Sequence, residues 1–174
     1  MKDNYLGFLF SVAVLAALAA AGCVADGPAV AATSPAAITT TAATAPGTPG
    51  DPTGGEAVYL RVCLVCHQFS GLGLPGAFPP LAGSSNVTEA DPGKIIRVVL
   101  HGLQGPIEVK GTTFNSVMPP PMPPLTDREV ADVLTYVRNE WGNQAAPVTV
   151  EAVAALRAMG GRPTPWTWAE LGQL

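Results

Sequence analysis

Two of the three cysteines and one of the two histidines lie within five residues, in the stretch RVCLVCHQFSG that contains Cys63, Cys66 and His67. On a helical segment, side chains three positions apart point to the same side, and the next one follows close by. The C-x-x-C-H run therefore presents two thiols and an imidazole to one site. Whatever they bind must be accommodated by the surrounding fold.

Three interpretations of this run fail on what the rest of the chain contains. A zinc ribbon needs a second ligand pair, and the remaining cysteine and histidine are the distant Cys23 and a lone His101. A thioredoxin-like redox pair needs a βαβ framework, which the sequence does not predict. A disulfide across two residues would be strained and would close a loop too small to stabilise the fold. C-x-x-C-H in an exported protein is instead the attachment signature of c-type haem, with the thiols bonded to its vinyl groups and the histidine bound to iron, so covalent haem is favoured over these three.

Apolar spacing predicts an all-α domain of about three to five short helices joined by long loops, with no extended strand alternation. The first helix is expected to open at Gly55 and run into Cys63, and the second to be capped by Asp91 and to end at Gly102. Thr126 and Glu129 form a capping box for a third helix, which is predicted to continue through Trp141 and stop at Gly142. A weaker helix is expected at 150–158.

Short helices and long loops do not close a good hydrophobic core in a domain of this size. Loops of that length in a compact domain are functional or are wrapped around something. The predicted haem would therefore supply the missing centre of the core.

The N-terminal residues 1–23 are typical of an export signal. Lys2 precedes the apolar run YLGFLFSVAVLAALAA, and AAGC follows at residues 20–23. This ending resembles the bacterial lipoprotein signal, which implies cleavage before Cys23 and attachment of lipid to it. The alternatives are an ordinary cleaved signal peptide or an uncleaved helix. Each predicts export, and the lipoprotein interpretation predicts a membrane anchor on the periplasmic side.

Residues 24–54 are mostly Ala, Thr, Pro and Gly, with no aromatic side chain and no amphipathic period. Such a segment buries too little to offset its ordering entropy, so it is predicted to be a disordered tether. Its mean reach would be roughly 30 Å. The domain would then occupy 55–143, followed by a C-terminal extension at 144–174. The net charge of −4 gives no basic surface for nucleic acid.

Four successive motifs resemble those of class I cytochrome c domains: GEAVYLRVCLVCHQ, GAFPPLAGS, HGLQGPIEVKGTTFNSVMPP and LTDREVADVLTYVRNEWGN. The resemblance covers about residues 54–143. It is strongest to monohaem subunits or partners of membrane-linked dehydrogenases and oxidoreductases. It implies one covalent haem c, His67 as proximal ligand and a methionine as distal ligand. It also implies that the first helix crosses the last, with Tyr59 near Tyr136 or Trp141.

The same resemblance suggests which residues complete the haem site. Pro79 is expected to offer its carbonyl oxygen to the His67 ring, with Pro80 as the alternative. Met118 stands at the family's distal position when counted back from LTD. Met122 remains an alternative, because the aromatic residue usual shortly after the family's Met-Pro is missing here. His101 is expected on the surface or at the rim of the pocket.

If protein ligands hold both axial positions of the iron, no site is left for substrate, so electron transfer is expected rather than catalysis. The chain would be a one-electron carrier, either a monomer or a subunit of an oxidoreductase complex, that docks weakly on a redox partner. One alternative is a haem sensor or peroxidase-like protein with a labile distal ligand. Another is a structural subunit whose C-terminal tail clamps a larger complex. Trp166 and Trp168 in that tail are expected to dock on the domain's own surface, and the alternative is that they meet a partner. The acidic balance would suit a basic docking face, unless the charge is simply scattered.

Overall fold

The computed structural model describes residues 47–174. The predicted export signal, Cys23 and the tether as far as residue 46 lie outside the described residues. None of the helices within 47–174 is long and apolar enough to cross a bilayer.

The first helical segment is continuous from residue 52 to residue 67. It consists of α1 (Pro52–Val58), a π-helical turn (Tyr59–Cys63) and α2 (Leu64–His67). The Asp51 side chain accepts a hydrogen bond from Thr53 N, and proline at the first helical position needs no amide partner. This segment therefore begins before Gly55, where the sequence predicted its start, and carries the whole C-x-x-C-H run.

The predicted tether boundary at residue 54 is too late. Gly50 N donates to Val148 O (2.8 Å) and Asp51 N to Asp132 Oδ1 (2.6 Å). Thr48 N donates to a carboxylate oxygen of Glu151 (2.7 Å). Residues 48–51 bury few side chains, so their composition suggests a linker, but their backbone is held by distant parts of the chain.

Five more helices follow, and they confirm the predominantly helical class. They are α3 (Ser85–Thr88), α4 (Gly93–His101), α5 (Asp127–Val137), α6 (Val150–Ala158) and α7 (Trp168–Leu171). The capping box at α5 is present as predicted, with Thr126 and Glu129 bonded to each other in both directions.

The prediction that the helix of α5 continues through Trp141 is wrong. It ends at Val137, with Arg138 as its C-cap. The buried Arg138 guanidinium donates to Val87 O (2.7 Å) and Ala146 O (2.9 Å). Trp141 has a φ of +53°, which lies outside the helical region. The chain therefore turns after Arg138, and Trp141 reaches the core from this turn.

Four short strands add to the helices. They are β1 (Leu103–Gln104), β2 (Ile107–Val109), β3 (Thr112–Phe114) and β4 (Trp166–Thr167). Strands β2 and β3 form an antiparallel hairpin, while β4 pairs with β1 in parallel. Strands of two or three residues are too short to show alternation in sequence.

The first helical segment packs against α5, as the family resemblance implied. The crossing is close at Gly55, where a Cβ atom would lie 2.1 Å from Asp132 O. Tyr59 is fully buried beside it, and its ring centroid lies 5.5 Å from that of Tyr136 and 5.1 Å from that of Trp141. This aromatic cluster fixes the helix that leads into Cys63 and His67.

Candidate functional site

A deep apolar cleft lies between the C-x-x-C-H segment, α4, α5 and the β1–β2 region. About 760 Å³ of space free of protein atoms lies within its walls, counting the part that is open to solvent. No Asp, Glu, Lys or Arg is among the described residues that line it. Its aliphatic wall is formed by Leu81, Val87, Ile95, Val98, Val99, Leu103, Ile107, Val109, Val133, Leu134 and Val137.

His67 is buried at the end of α2 and lines this cleft. Its Nδ1 lies 3.1 Å from Pro79 O, to which Nδ1–H donates, and this leaves Nε2 free. Burial lowers the pKa of His67, although the Pro79 carbonyl acts in the opposite direction. The imidazole is therefore held neutral and oriented, as a metal ligand requires.

The loop after His67 brings Pro79 to the histidine. Gly73 N donates to His67 O (3.0 Å), and Leu81 N donates to Gly71 O (2.7 Å), so the loop doubles back on α2. Gly73 has a φ of +68°, and a Cβ atom there would lie 2.3 Å from Phe78 O. Glycine is needed at this position because the two arms of the loop approach closely.

Cys63 lines the cleft four residues before His67, while Cys66 is half-buried and is not among the lining residues. Both are free thiols rather than a disulfide. Burial, with a smaller contribution from Cys66, raises the pKa of the Cys63 thiol to about 11. The Cys63 thiol is therefore neutral at physiological pH.

The two candidate methionines occupy different places. Met118 lines the cleft, and its backbone is fixed by two hydrogen bonds with Leu103, N to O at 2.8 Å and O to N at 2.9 Å. Met122 is 84% exposed and borders a separate groove beside Leu125. Only Met118 of the two shares the cleft with His67.

His101 is not brought to the cleft. It is half-buried at the last position of α4. Burial and then the charges of Arg157, Arg162 and Arg97 lower its pKa. This placement agrees with the expectation of a surface or rim residue.

Trp168 lines the cleft from the C-terminal extension, a role that was not predicted from the sequence. The signal that could have located it is Thr167 with Glu170, a second capping box, which starts α7 at Trp168. Ile107 and Val109 of the β2–β3 hairpin were also not predicted as cleft residues.

The donor set fits a covalently bound haem. Cys63, a neutral His67 imidazole with its Nδ1 bonded and the Met118 thioether line one charge-free cleft, and the second free thiol, Cys66, lies three residues after Cys63. Fold and site together define a haem-binding, electron-transfer class of protein. The family model for cytochrome c matches residues 53–141, and the chain belongs to the cytochrome c family. It is a class I c-type cytochrome that carries haem c and exchanges electrons with a redox partner, without being catalytic itself.

Similar proteins include both a small cytochrome and parts of larger dehydrogenase subunits. The chain is 43% identical over 112 residues to cytochrome c-552 of Thermus thermophilus, covering 60% of this chain and 84% of that protein. It is 37% identical over 122 residues to the cytochrome c subunit of a quinone-dependent alcohol dehydrogenase of Gluconobacter oxydans, covering 68% and 25%. The fructose dehydrogenase cytochrome subunit of Gluconobacter japonicus is 36% identical over 121 residues, covering 65% and 24%. The chain thus spans about a quarter of the dehydrogenase subunits.

Proposed function

We propose that this chain is a membrane-anchored one-electron carrier in which Cys63 and Cys66 attach haem c and His67 and Met118 are the axial ligands. The observation that carries the proposal is the shared cleft. It holds the His67 imidazole, oriented by Pro79 O, together with Met118, whose backbone N and O both bond Leu103. The exposure of Met122 supports Met118 as the distal ligand.

The residues around the cleft explain why electron transfer would be efficient. The haem supplies an iron that takes up and releases one electron. Pro79 holds His67 in one orientation, and the two bonds to Leu103 hold Met118, so neither ligand needs to move when the charge changes. A methionine opposite a histidine raises the reduction potential. The fixed Met118 backbone favours this carrier over the labile-ligand sensor or peroxidase.

The surface around the cleft is suited to weak apolar docking. No charged side chain occurs from residue 62 to residue 88 or from residue 111 to residue 126. These segments expose Val65 (78%), Leu72 (58%) and Val117 (60%), and Ser116 Oγ bonds Ala77 O to join them. The Ser116–Ala77 bond brings the two segments together, and an apolar patch formed by their exposed residues would be typical of an interaction site. The proposed partner is a dehydrogenase, reductase or oxidase that docks on this face.

The anchor is proposed from the N-terminal sequence. Cleavage before Cys23 and lipidation of it would hold the domain to the periplasmic face of the membrane through the segment that precedes residue 47. One acyl chain binds a bilayer only marginally, so stable anchoring needs more than one. Labelled palmitate should be incorporated into the native haem protein but not into Cys23→Ser. An unlabelled native protein would instead indicate an ordinary cleaved signal peptide or an uncleaved helix.

Replacing each of the two methionines by alanine in turn tests which of them is the distal ligand. In the oxidised, haem-loaded full chain, Met118→Ala should abolish the weak red charge-transfer band of methionine–ferric haem, while the matched Met122→Ala should retain it. The reduction potential should fall in Met118→Ala alone, because a thioether ligand is lost. Loss of the band in Met122→Ala with retention in Met118→Ala would reverse the assignment. A native protein without the band would favour the labile-ligand alternative.

A further inference from the structure

The C-terminal extension is one strand away from Met118. Leu103 exchanges both backbone hydrogen bonds with Met118. On its other edge, β1 pairs with β4 in a register that places Leu103 beside Trp166, and Trp166 N donates to Gly102 O (3.1 Å). Leu103 therefore lies at the centre of a short backbone ladder, with Met118 on one side in an isolated antiparallel bridge and β4 on the other in a two-residue parallel pairing.

The ladder is closely fitted at the start of β1. Gly102 has a φ of +83°, and a Cβ atom there would lie 2.6 Å from Met118 O. The carbonyl of Gly102 accepts from Trp166 N, so one residue contacts both the Met118 segment and the extension. The planar peptide unit between Gly102 and Leu103 accepts from Trp166 N through its carbonyl and donates to Met118 O through its N–H. A shift of β4 would therefore be transmitted to the Met118 backbone through this one peptide unit.

Side-chain packing links the same three elements. Leu171 of α7 is 1% exposed and forms a cluster with Val98 and Leu103, against which Met118, Trp166 and Trp168 pack. Trp168 continues into the wall of the cleft that holds Met118.

Polar contacts fix the extension itself. The Thr167–Glu170 capping box starts α7, and the Arg162 guanidinium lies 3.6 Å from the centre of the Trp166 ring while bonding Glu170. Gln104 Nε2 donates to Pro165 O (3.3 Å), which adds a side-chain bond between β1 and the residue before β4.

We infer that residues 165–171 clamp the Met118 segment, and that Trp168 is a positioning residue that limits exchange of the distal ligand. The inference rests on the proposed role of Met118. The C-terminal extension would then help to hold the distal haem ligand, instead of serving only as a contact with a larger complex. The ladder holds the Met118 backbone, and Trp168 closes the space into which its side chain could swing.

Imidazole, added as an exogenous ligand, tests the clamp in the oxidised, haem-loaded full chain. Loss of the red charge-transfer band during titration measures how readily Met118 is displaced. In Trp168→Ala we expect about tenfold tighter apparent imidazole binding, equivalent to about 1.4 kcal/mol. Trp168→Phe should restore most of the native affinity, because an aromatic ring still fills the space. Thr167→Ala, which removes only the α7 cap, should give a smaller increase in the same direction.

Val153→Ala is the matched control for a general loss of fold stability. Val153 is fully buried in α6, in a cluster separate from that of Met118. It should lower Tm through loss of buried methyl groups, yet leave imidazole affinity unchanged. Native affinity in both Trp168→Ala and Thr167→Ala would overturn the inference, as would an equal rise in Val153→Ala at equal loss of Tm. If Met118→Ala retained the band, the ligand assignment itself would fail, and the clamp with it.

Discussion

At the scale of single residues, the close approach of the two backbones decides which substitutions the crossing of α1 and α5 can tolerate. A Cβ atom on Gly55 would meet the backbone oxygen of Asp132, which cannot rotate away. At the neighbouring Gly54 a Cβ would lie 3.1 Å from Asp132 Oδ2, the end of a side chain. Two adjacent glycines of one helix therefore tolerate substitution very differently.

We expect Gly55→Ala to destabilise the haem-loaded protein by about 1–3 kcal/mol, because the helices must separate. Gly54→Ala should cost less than about 1 kcal/mol, because only the Asp132 carboxylate, which Asp51 N and Arg128 hold, must shift, and because alanine restricts the unfolded chain and favours the helix. Chemical denaturation of both variants measures the difference. Equal free energies of unfolding would show that the crossing yields to a methyl group.

Some residues of the site could be predicted from the sequence, and others could not. The C-x-x-C-H run and the capping residues carry their roles in local sequence, so Cys63, His67 and the start of α5 were predictable. The choice of Pro79 over Pro80 rested on family resemblance, and the structure brings Pro79 O to His67. Trp168 reaches the cleft only because β4 pairs with β1, a contact between residues that are far apart in the chain.

At the scale of elements, the ends of helices decide where the chain turns. The apolar spacing of α5 suggested that it continues to Trp141, but the buried Arg138 bonds to Val87 O and Ala146 O, and the helix stops. Spacing alone could not show this, because the two carbonyl acceptors come from other elements. The start of α5 could be predicted because its capping residues, Thr126 and Glu129, are close together in the sequence.

The α5 capping box also links that helix to the first helical segment. Glu129 binds Thr126 N and also the Arg61 guanidinium (2.6 Å). Hydrogen bonds from the Thr126 backbone, then from Arg61, lower the pKa of Glu129. A lowered carboxyl pKa stabilises the fold above the pKa of the unfolded chain, and this contribution is lost as pH falls through the lower folded value.

Glu129→Gln should therefore lower Tm at pH 7, and the gap from the native protein should narrow as pH falls below about 4. Thermal unfolding across this range measures the gap. Glu56→Gln, an exposed glutamate of α1, is the control and should show a smaller difference at pH 7. A pH-independent gap for Glu129→Gln would show that the carboxylate charge contributes nothing to the cap.

At the scale of the whole molecule, charge is unevenly distributed. The chain has 13 acidic and 9 basic side chains, yet both uncharged segments adjoin the haem cleft. The net acidity therefore gives little information about the docking face. This distribution favours apolar contact over the basic partner surface that the overall charge suggested.

The rate of electron self-exchange between oxidised and reduced copies of the protein tests whether this face docks through apolar contacts, and it needs no partner protein. Its second-order rate should change less than about twofold between 0.01 M and 0.15 M salt, over which the Debye length falls from about 30 Å to about 8 Å. Val65→Glu would place a carboxylate on the face, so self-exchange should slow at low salt and recover at high salt through screened repulsion. Thr53→Glu adds the same charge at the start of α1, about 18 Å along the helix from residue 65, and should have a smaller effect. Strong salt dependence in the native protein would show instead that charges beyond the two segments govern the encounter.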